Sequence, residues 1–312
     1  MVTSRRSGGD QNEARNDAPA DCAYLQAGSP RLSSCAAGGA AQQIGGLMAR
    51  ISSAELTVAS DTLLVVRMLG PMEVTIDGWS LDDLPGRIGV NILRMLLLQP
   101  GYASPRDVLL EAFWPGCDPA VAKNRLQVAV SGLRRAFRQA TDDEVIEYSD
   151  DRYRIARGVT VDLDVEDFRL CLARARDAAQ SENREAAIRF LEEAIRIYRG
   201  DLAPDAAYDE WALLPRERLL MEFVDALDRL CGWLEEEDDT YRLIPVAHRI
   251  IEIDPCREDI HRLLMTAYAG DGRTHQVARQ YEFCVRALRA ALGVTPSRET
   301  VALYRGLRVR LN

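Results

Sequence analysis

Between Asp118 and Arg138 the chain reads DPAVAKNRLQVAVSGLRRAFR, and its apolar residues Leu126, Val130, Leu133 and Phe137 recur at steps of four, three and four. Only an α-helix puts such a series on one side, so this stretch is expected to be a helix packed on a core. Its other side is distinctive. The stretch carries Lys123, Arg125, Arg134, Arg135 and Arg138 and no acidic residue after Asp118, in a chain of formal net charge -9. Asn124, Gln127, Val128, Ser131, Arg135 and Arg138 point away from the stripe, with Lys123 and Arg134 on one flank. Amides and guanidiniums suit base edges and phosphates, and a small apolar group such as Val128 suits a thymine methyl. The plainer reading is a solvated face, so the neighbours have to decide.

Two shorter helices are expected ahead of it, over Val90–Gln99 (VNILRMLLLQ) and Ser104–Trp114 (SPRDVLLEAFW). Ser104 is the expected N-cap of the second, with Pro105 at the first helical position and Asp107 approximating a capping box. Trp114-Pro115-Gly116 stops that helix, and Asp118-Pro119 starts the basic one with a second cap and proline. Three helices with a tight break before the third form a helix-turn-helix. Strands are expected over Leu63–Leu69 and Met72–Ile76, then over Val145–Tyr148 and Arg152–Ile155 around the turn Ser149-Asp150-Asp151. A hairpin after a helix-turn-helix makes a winged helix. Arg152 and Arg154, at alternate positions of the return strand, reach for a phosphate backbone or simply charge an exposed strand edge.

These residues resemble the SARP-type bacterial transcriptional regulators. The matching text is LGPMEVTIDG at Leu69–Gly78, LLLQPGYASPRDVLLEAFWPGCDP ending at Pro119 and NRLQVAVSGLRRAFR ending at Arg138. It continues with VDLDVEDF at Val161–Phe168, GDLAPDAAYDEWALLPRERL at Gly200–Leu219 and the run from Asp254 to Tyr304. The resemblance implies a response-regulator-like winged helix, then a bacterial transcriptional activator domain, and a DNA-binding role, often on direct repeats in promoters. Two departures stand out: the wing turn carries Asp150-Asp151 where the family usually has a glycine-rich turn, and only Arg87 and Arg94 precede Ser104 where relatives are often more basic.

The second half repeats. An offset of 34 residues pairs Leu230 with Leu264, Leu234 with Tyr268, Leu243 with Val277, Ala247 with Tyr281 and Ile250 with Cys284. That is the tetratricopeptide period. An earlier unit, Phe168–Gly200, has Ala187, Leu191 and Ala194 at the packing positions of its second helix, and Asp254-Pro255 and Asp271-Gly272 fall where turns belong. Such pairs must stack to bury a continuous core, which leaves a groove for a partner around Tyr268 and Tyr281. The alternative is a plain helical bundle for dimerisation or for bracing the winged helix. From Val159 onward 22 basic residues are outnumbered by 29 acidic ones, including the run Glu235–Asp239, so this half should be kept off DNA. The run itself reads as a solvated inter-helix loop, with docking the less favoured use.

The expected fold is therefore mostly α: a winged helix over 61–158, then an all-α tetratricopeptide-like repeat domain over 159–312, after an extension over 1–60. That extension is rich in Gly, Ala and Ser and is expected to be disordered, with a weakly indicated helix around Ile44–Leu56 and Met48 as a candidate translation start. No apolar run reaches the ~18 residues of a membrane span, the longest being interrupted by Arg94, and no hydrophobic segment follows Arg5 and Arg6 as in a signal peptide. A cytoplasmic, nucleoid-associated protein without membrane contact is expected. The seven cysteines form no metal-spaced cluster, and Cys171, Cys231 and Cys284 read as small core residues. No GxxxxGK[ST], GxSxG or HExxH motif occurs, no receiver-type phosphorylation site is evident, and His248, His261 and His275 lie among the repeats in packing or surface roles. Neither an enzyme nor a cofactor is expected. The sequence points to a sequence-specific DNA-binding regulator, an activator, whose repeats regulate it, dimerise it or contact RNA polymerase. The competing reading is a repeat-type interaction scaffold whose winged helix binds no DNA.

Overall fold

The computed structural model of the protein describes residues 62–311. The expectations for residues 1–60, including Met48 and the Ile44–Leu56 helix, lie outside them. β1 (Leu63–Arg67), β2 (Glu73–Ile76) and β3 (Trp79–Ser80) open the chain, followed by α1 (Gly86–Leu97). β4 (Ala103–Pro105), α2 (Arg106–Phe113) and α3 (Pro119–Phe137) come next, then β5 (Ile146–Ser149), β6 (Arg152–Ile155) and β7 (Thr160–Leu163). The rest is helical: α4 (Asp164–Gln180), α5 (Arg184–Ile197), α6 (Glu210–Glu236), α7 (Thr240–Ile253), α8 (Glu258–Gly270), α9 (Thr274–Ala291) and α10 (Arg298–Leu311). The fold is mostly α, a winged helix-turn-helix followed by stacked helical repeats.

The first sheet runs β3-β2-β1-β7, and β7 joins β1 in parallel, Leu64 opposite Val161 and Val66 opposite Leu163. β7 lies beyond the boundary expected at residue 158, yet it completes the N-terminal sheet. β1 ends at Arg67, two residues before expectation, because the next two amides turn elsewhere. Met68 N–H and Leu69 N–H donate to the carboxylate of Asp164 at 2.8 and 2.9 Å. That carboxylate is buried at the first residue of α4, so strand end and helix start are tied by one side chain.

The second sheet runs β4-β6-β5 and contains the wing. Here one expectation is corrected: Ser104 is no N-cap. It is fully buried in β4, paired with Tyr153 of β6, and α2 starts two residues later at Arg106. A third strand to complete the wing sheet outcompetes an earlier helix start, and the Ser104 hydroxyl is left without a partner. α1 likewise differs, starting at Gly86 directly after Pro85 and ending at Leu97.

The repeats stack as the 34-residue offset predicts. Leu230, Leu264, Leu234, Tyr268, Leu243, Val277, Ala247, Ile250 and Cys284 are all buried, as are Ala187, Leu191 and Ala194 of α5. Asp254-Pro255 and Asp271-Gly272 occupy the turns flanking α8. The acidic run closes α6 and turns into α7, where Arg184 pairs with Glu236 and Arg242 with Asp239 at 2.6 Å. Burial pushes the Cys231 thiol up to about 12 and the Cys284 thiol to about 11, so both are inert core groups, while Cys171 is only half-buried. Among the described residues no helix is long and apolar enough to cross a membrane.

Candidate nucleic-acid interface

α3 begins at a built cap. The Asp118 side chain accepts from the amides of Ala120 and Val121 at 2.9 and 3.1 Å, and Pro119 occupies the first helical position, where its missing N–H costs nothing. Leu126, Val130, Leu133 and Phe137 face the core, none more than 2 % exposed. Just ahead of α1, the Pro85 ring packs on α3 so closely that a Cβ on Gly132 would lie 3.0 Å from the Pro85 Cβ. Glycine is what lets the ring sit at that distance.

With its inner stripe fixed, α3 leaves Lys123, Asn124, Gln127, Val128, Ser131, Arg135 and Arg138 on the exposed side. Val128 is 66 % exposed, an apolar side chain held in solvent on the polar face. A groove of about 710 Å³ runs alongside, with Ile88 and Trp114 on one wall and Asn124, Arg125 and Arg135 on the other. Arg125 belongs to this surface although the wheel did not single it out. Its exposure and its place one turn before Val128 are the signals that identify it.

Two of the expected contact residues are engaged within the protein. Arg134 donates Nε–H to the Ile146 carbonyl at 2.9 Å and pairs with Glu144 at 2.9 Å, fastening α3 to the first wing strand. Arg154, its side chain 15 % exposed, sits 3.4 Å from Glu147 on the neighbouring strand without hydrogen-bond alignment. Arg152 remains exposed. The wing turn is a left-handed pair, φ 51° at Asp150 and 56° at Asp151, a conformation that matches the twist of a two-residue hairpin. Aspartate supplies it here in place of glycine. Asp151 does not confront DNA as a bare charge, since Arg106 pairs with it at 3.0 Å and the Tyr148 hydroxyl donates to it at 2.8 Å.

The partner-groove tyrosines separate. Tyr268 is buried, with its hydroxyl 2.7 Å from His248 Nε2, and lines a pocket of about 560 Å³ with Arg279 and Phe283. Tyr281 stacks flat on Tyr304 of α10, centroids 4.0 Å apart, away from that pocket.

The sequence offers bracing of the winged helix as one role of the helical half, but not the residues that make the contact. Arg94, 2 % exposed, donates to Asp205 at 2.9 Å and to Asn91 at 2.8 Å. Asn91 in turn donates to Asp209 at 3.0 Å, which Arg87 also reaches at 2.9 Å. Arg216 fans across the carbonyls of Leu202, Ala203, Ala206 and Ala207 at 2.8–3.0 Å and holds that loop in shape. The available signal was a lone arginine inside the apolar run around Ile92–Leu98, because a charge placed there has to find a buried partner. Arg87 and Arg94, the two basic residues that precede Ser104 in α1, are thus engaged with the repeat half.

A capped basic helix with a bare polar face, a wing beside it and helical repeats docked behind defines a class, the winged-helix transcription regulators with a repeat domain. Comparison with known proteins narrows it. Residues 163–308 match the bacterial transcriptional activator domain. The transcriptional regulatory protein MoaR1 of Mycobacterium tuberculosis is 26 % identical over 246 residues, 76 % of each chain, and MoaR1 of Mycobacterium bovis aligns equally well. The fold is that of Mycobacterium tuberculosis EmbR, solved in complex with a low-affinity phosphopeptide, at a TM-score of 0.61 and 23 % identity. The match covers 80 % of this chain and 66 % of the EmbR chain, so this chain spans just under two-thirds of that relative's length. Residues 163–308 thus carry a bacterial transcriptional activator domain, and over most of its length the chain is similar to bacterial transcriptional regulatory proteins.

Proposed function

We propose that α3 lies in the major groove of promoter DNA and that Asn124, Gln127 and Arg135 read base edges, with Val128 against a thymine methyl. Lys123, Ser131 and Arg138 contact the backbone beside them, and Arg152 tracks it from the wing. Arg134 contributes by holding the wing in register with the helix, and Arg154 lies opposite Glu147 within the wing. Residues 61–158 carry the reading and 159–312 the regulation, through dimerisation or contact with RNA polymerase, on the nucleoid in the cytoplasm. The observation that carries this reading is the free outer face of α3, where Val128 stands 66 % exposed and no repeat helix covers it.

Anisotropy titrations with promoter DNA at several salt concentrations test it. Log affinity should fall steeply with log salt, and Arg138→Ala should lower that slope by about one. Substituting Asn124, Gln127 or Arg135 by Ala should cost roughly 1–3 kcal/mol and relax preference at one base pair. A triple alanine variant that binds as tightly as wild type would sink the residue assignments, and absence of salt-dependent binding to any duplex would favour the scaffold reading.

A further inference from the structure

A cleft of about 700 Å³ opens where the winged helix meets the first long repeat helix. Ile88 and Met95 of α1, Val108 and Phe113 of α2 and Trp211 of α6 give it an apolar lining. The Phe113 and Trp211 rings approach across the seam, centroids 6.2 Å apart and tilted by 52°. That volume and lining, where the winged helix meets the repeats, suit a compact organic ligand.

The polar groups narrow its chemistry. Trp211 Nε1–H is buried with no acceptor, which a folded protein rarely tolerates without cause. The one guanidinium on the lining, Arg87, is committed to Asp209 at 2.9 Å. Glu111 from α2 and Glu210 from α6 both line the cleft and have no ion-pair partner among the described residues. Indole and phenyl faces attract cations, tryptophan most strongly.

We propose that this cleft is a regulatory ligand site for a flat organic cation. Its aromatic body lies against Phe113 and Trp211, and its protonated amine between Glu111 and Glu210. The site is placed to matter, because α1 runs from the cleft wall at Met95 to the contact of Gly89 and Pro85 with α3. A ligand bridging α2 and α6 therefore acts on the helix that seats the recognition helix. The regulatory consequence rests on the DNA-reading assignment above; the binding does not.

Indole N–H resonances of the full chain, assigned through Trp→Phe variants at Trp79, Trp114, Trp211 and Trp233, give the test. The probe is 4-(aminomethyl)benzamide, with 4-carbamoylbenzoate as its anionic counterpart. The Trp211 signal should move saturably with the amine and not with the carboxylate. Glu111→Gln combined with Glu210→Gln, both exposed and unpaired, should weaken the amine roughly tenfold without changing the melting temperature. Saturating amine should then change promoter affinity severalfold. A Trp211 signal unmoved at millimolar amine, an equal response to the carboxylate, or indifference to the double substitution would overturn the site. A saturable shift with unchanged promoter affinity would refute its regulatory half. Failure to bind DNA at all would count against the reading of α3 and leave the indole result standing.

Discussion

Asp164 concentrates more structure than any other carboxylate described, since it takes the amides of both Met68 and Leu69 from a buried position. Burial raises its pKa above the ordinary carboxylate value despite those donors, so desolvation outweighs the hydrogen bonds. Replacing it with alanine strands two buried N–H groups, and at about 1–3 kcal/mol each the loss should come to about 2–6 kcal/mol in urea denaturation. A loss below half a kcal/mol would mean that water replaces the carboxylate. His261 makes the complementary point about protons. It is fully buried, Nε2 donates to the Pro255 carbonyl at 3.0 Å, and Nδ1 faces the Gln280 amide nitrogen at 2.6 Å. The Nδ1 lone pair therefore accepts, the ring is neutral, and burial holds its pKa below the ordinary 6.5. Because the unfolded chain takes up a proton there that the folded chain refuses, stability present above pH ~6.5 is lost as pH falls below it. His248, also lowered by burial, adds in the same direction. Denaturation midpoints should fall on acidification from about pH 7 to about pH 5. The decline should be shallower in His261→Gln, and an unchanged slope would locate the effect elsewhere.

At the scale of elements, α3 depends on its cap. Asp118 satisfies two amides that would otherwise face solvent unpaired, so Asp118→Ala should cost about 0.5–2 kcal/mol of stability and fray the turn carrying Lys123 and Asn124. Promoter affinity should drop with it, and thermal melting paired with anisotropy checks both. This helix was legible in the sequence because cap, proline and apolar stripe all agree, and the repeats were legible because each unit obeys the same burial pattern. What failed was local competition. Ser104-Pro105 carries every mark of a helix start, but pairing with Tyr153 completes the wing sheet, and strand pairing with a residue 49 positions away is invisible to a local window. The free face of α3 could likewise be read from its period, whereas the diversion of Arg134 to Ile146 and Glu144 depends on where the hairpin docks, and that of Arg154 toward Glu147 on the register inside the hairpin. A wheel reports which way a side chain points, not what meets it.

Over the whole molecule, the halves hold each other in shape. β1 has its parallel partner in β7, its end secured by Asp164, and the buried guanidinium of Arg94 matched by Asp205. All three supports lie after residue 158. Pairing with Arg94 keeps the Asp205 carboxyl below the usual range, so this support persists at neutral pH and weakens only as acid protonates Asp205. A fragment of residues 62–158 would leave one edge of β1 open, two amides unsatisfied and an arginine charged in an apolar helix face. Open edges invite intermolecular pairing, and an unpaired buried charge costs several kcal/mol. That fragment should aggregate or melt without cooperativity, while one extended to residue 236, the end of α6, should melt as a single transition with a dispersed amide spectrum. A cooperative, well-dispersed 62–158 fragment would show that the winged helix stands alone. The contrary result means that DNA is read by a body whose posture is set from the repeat side, so any ligand or partner shifting the start of α6 is felt at α3.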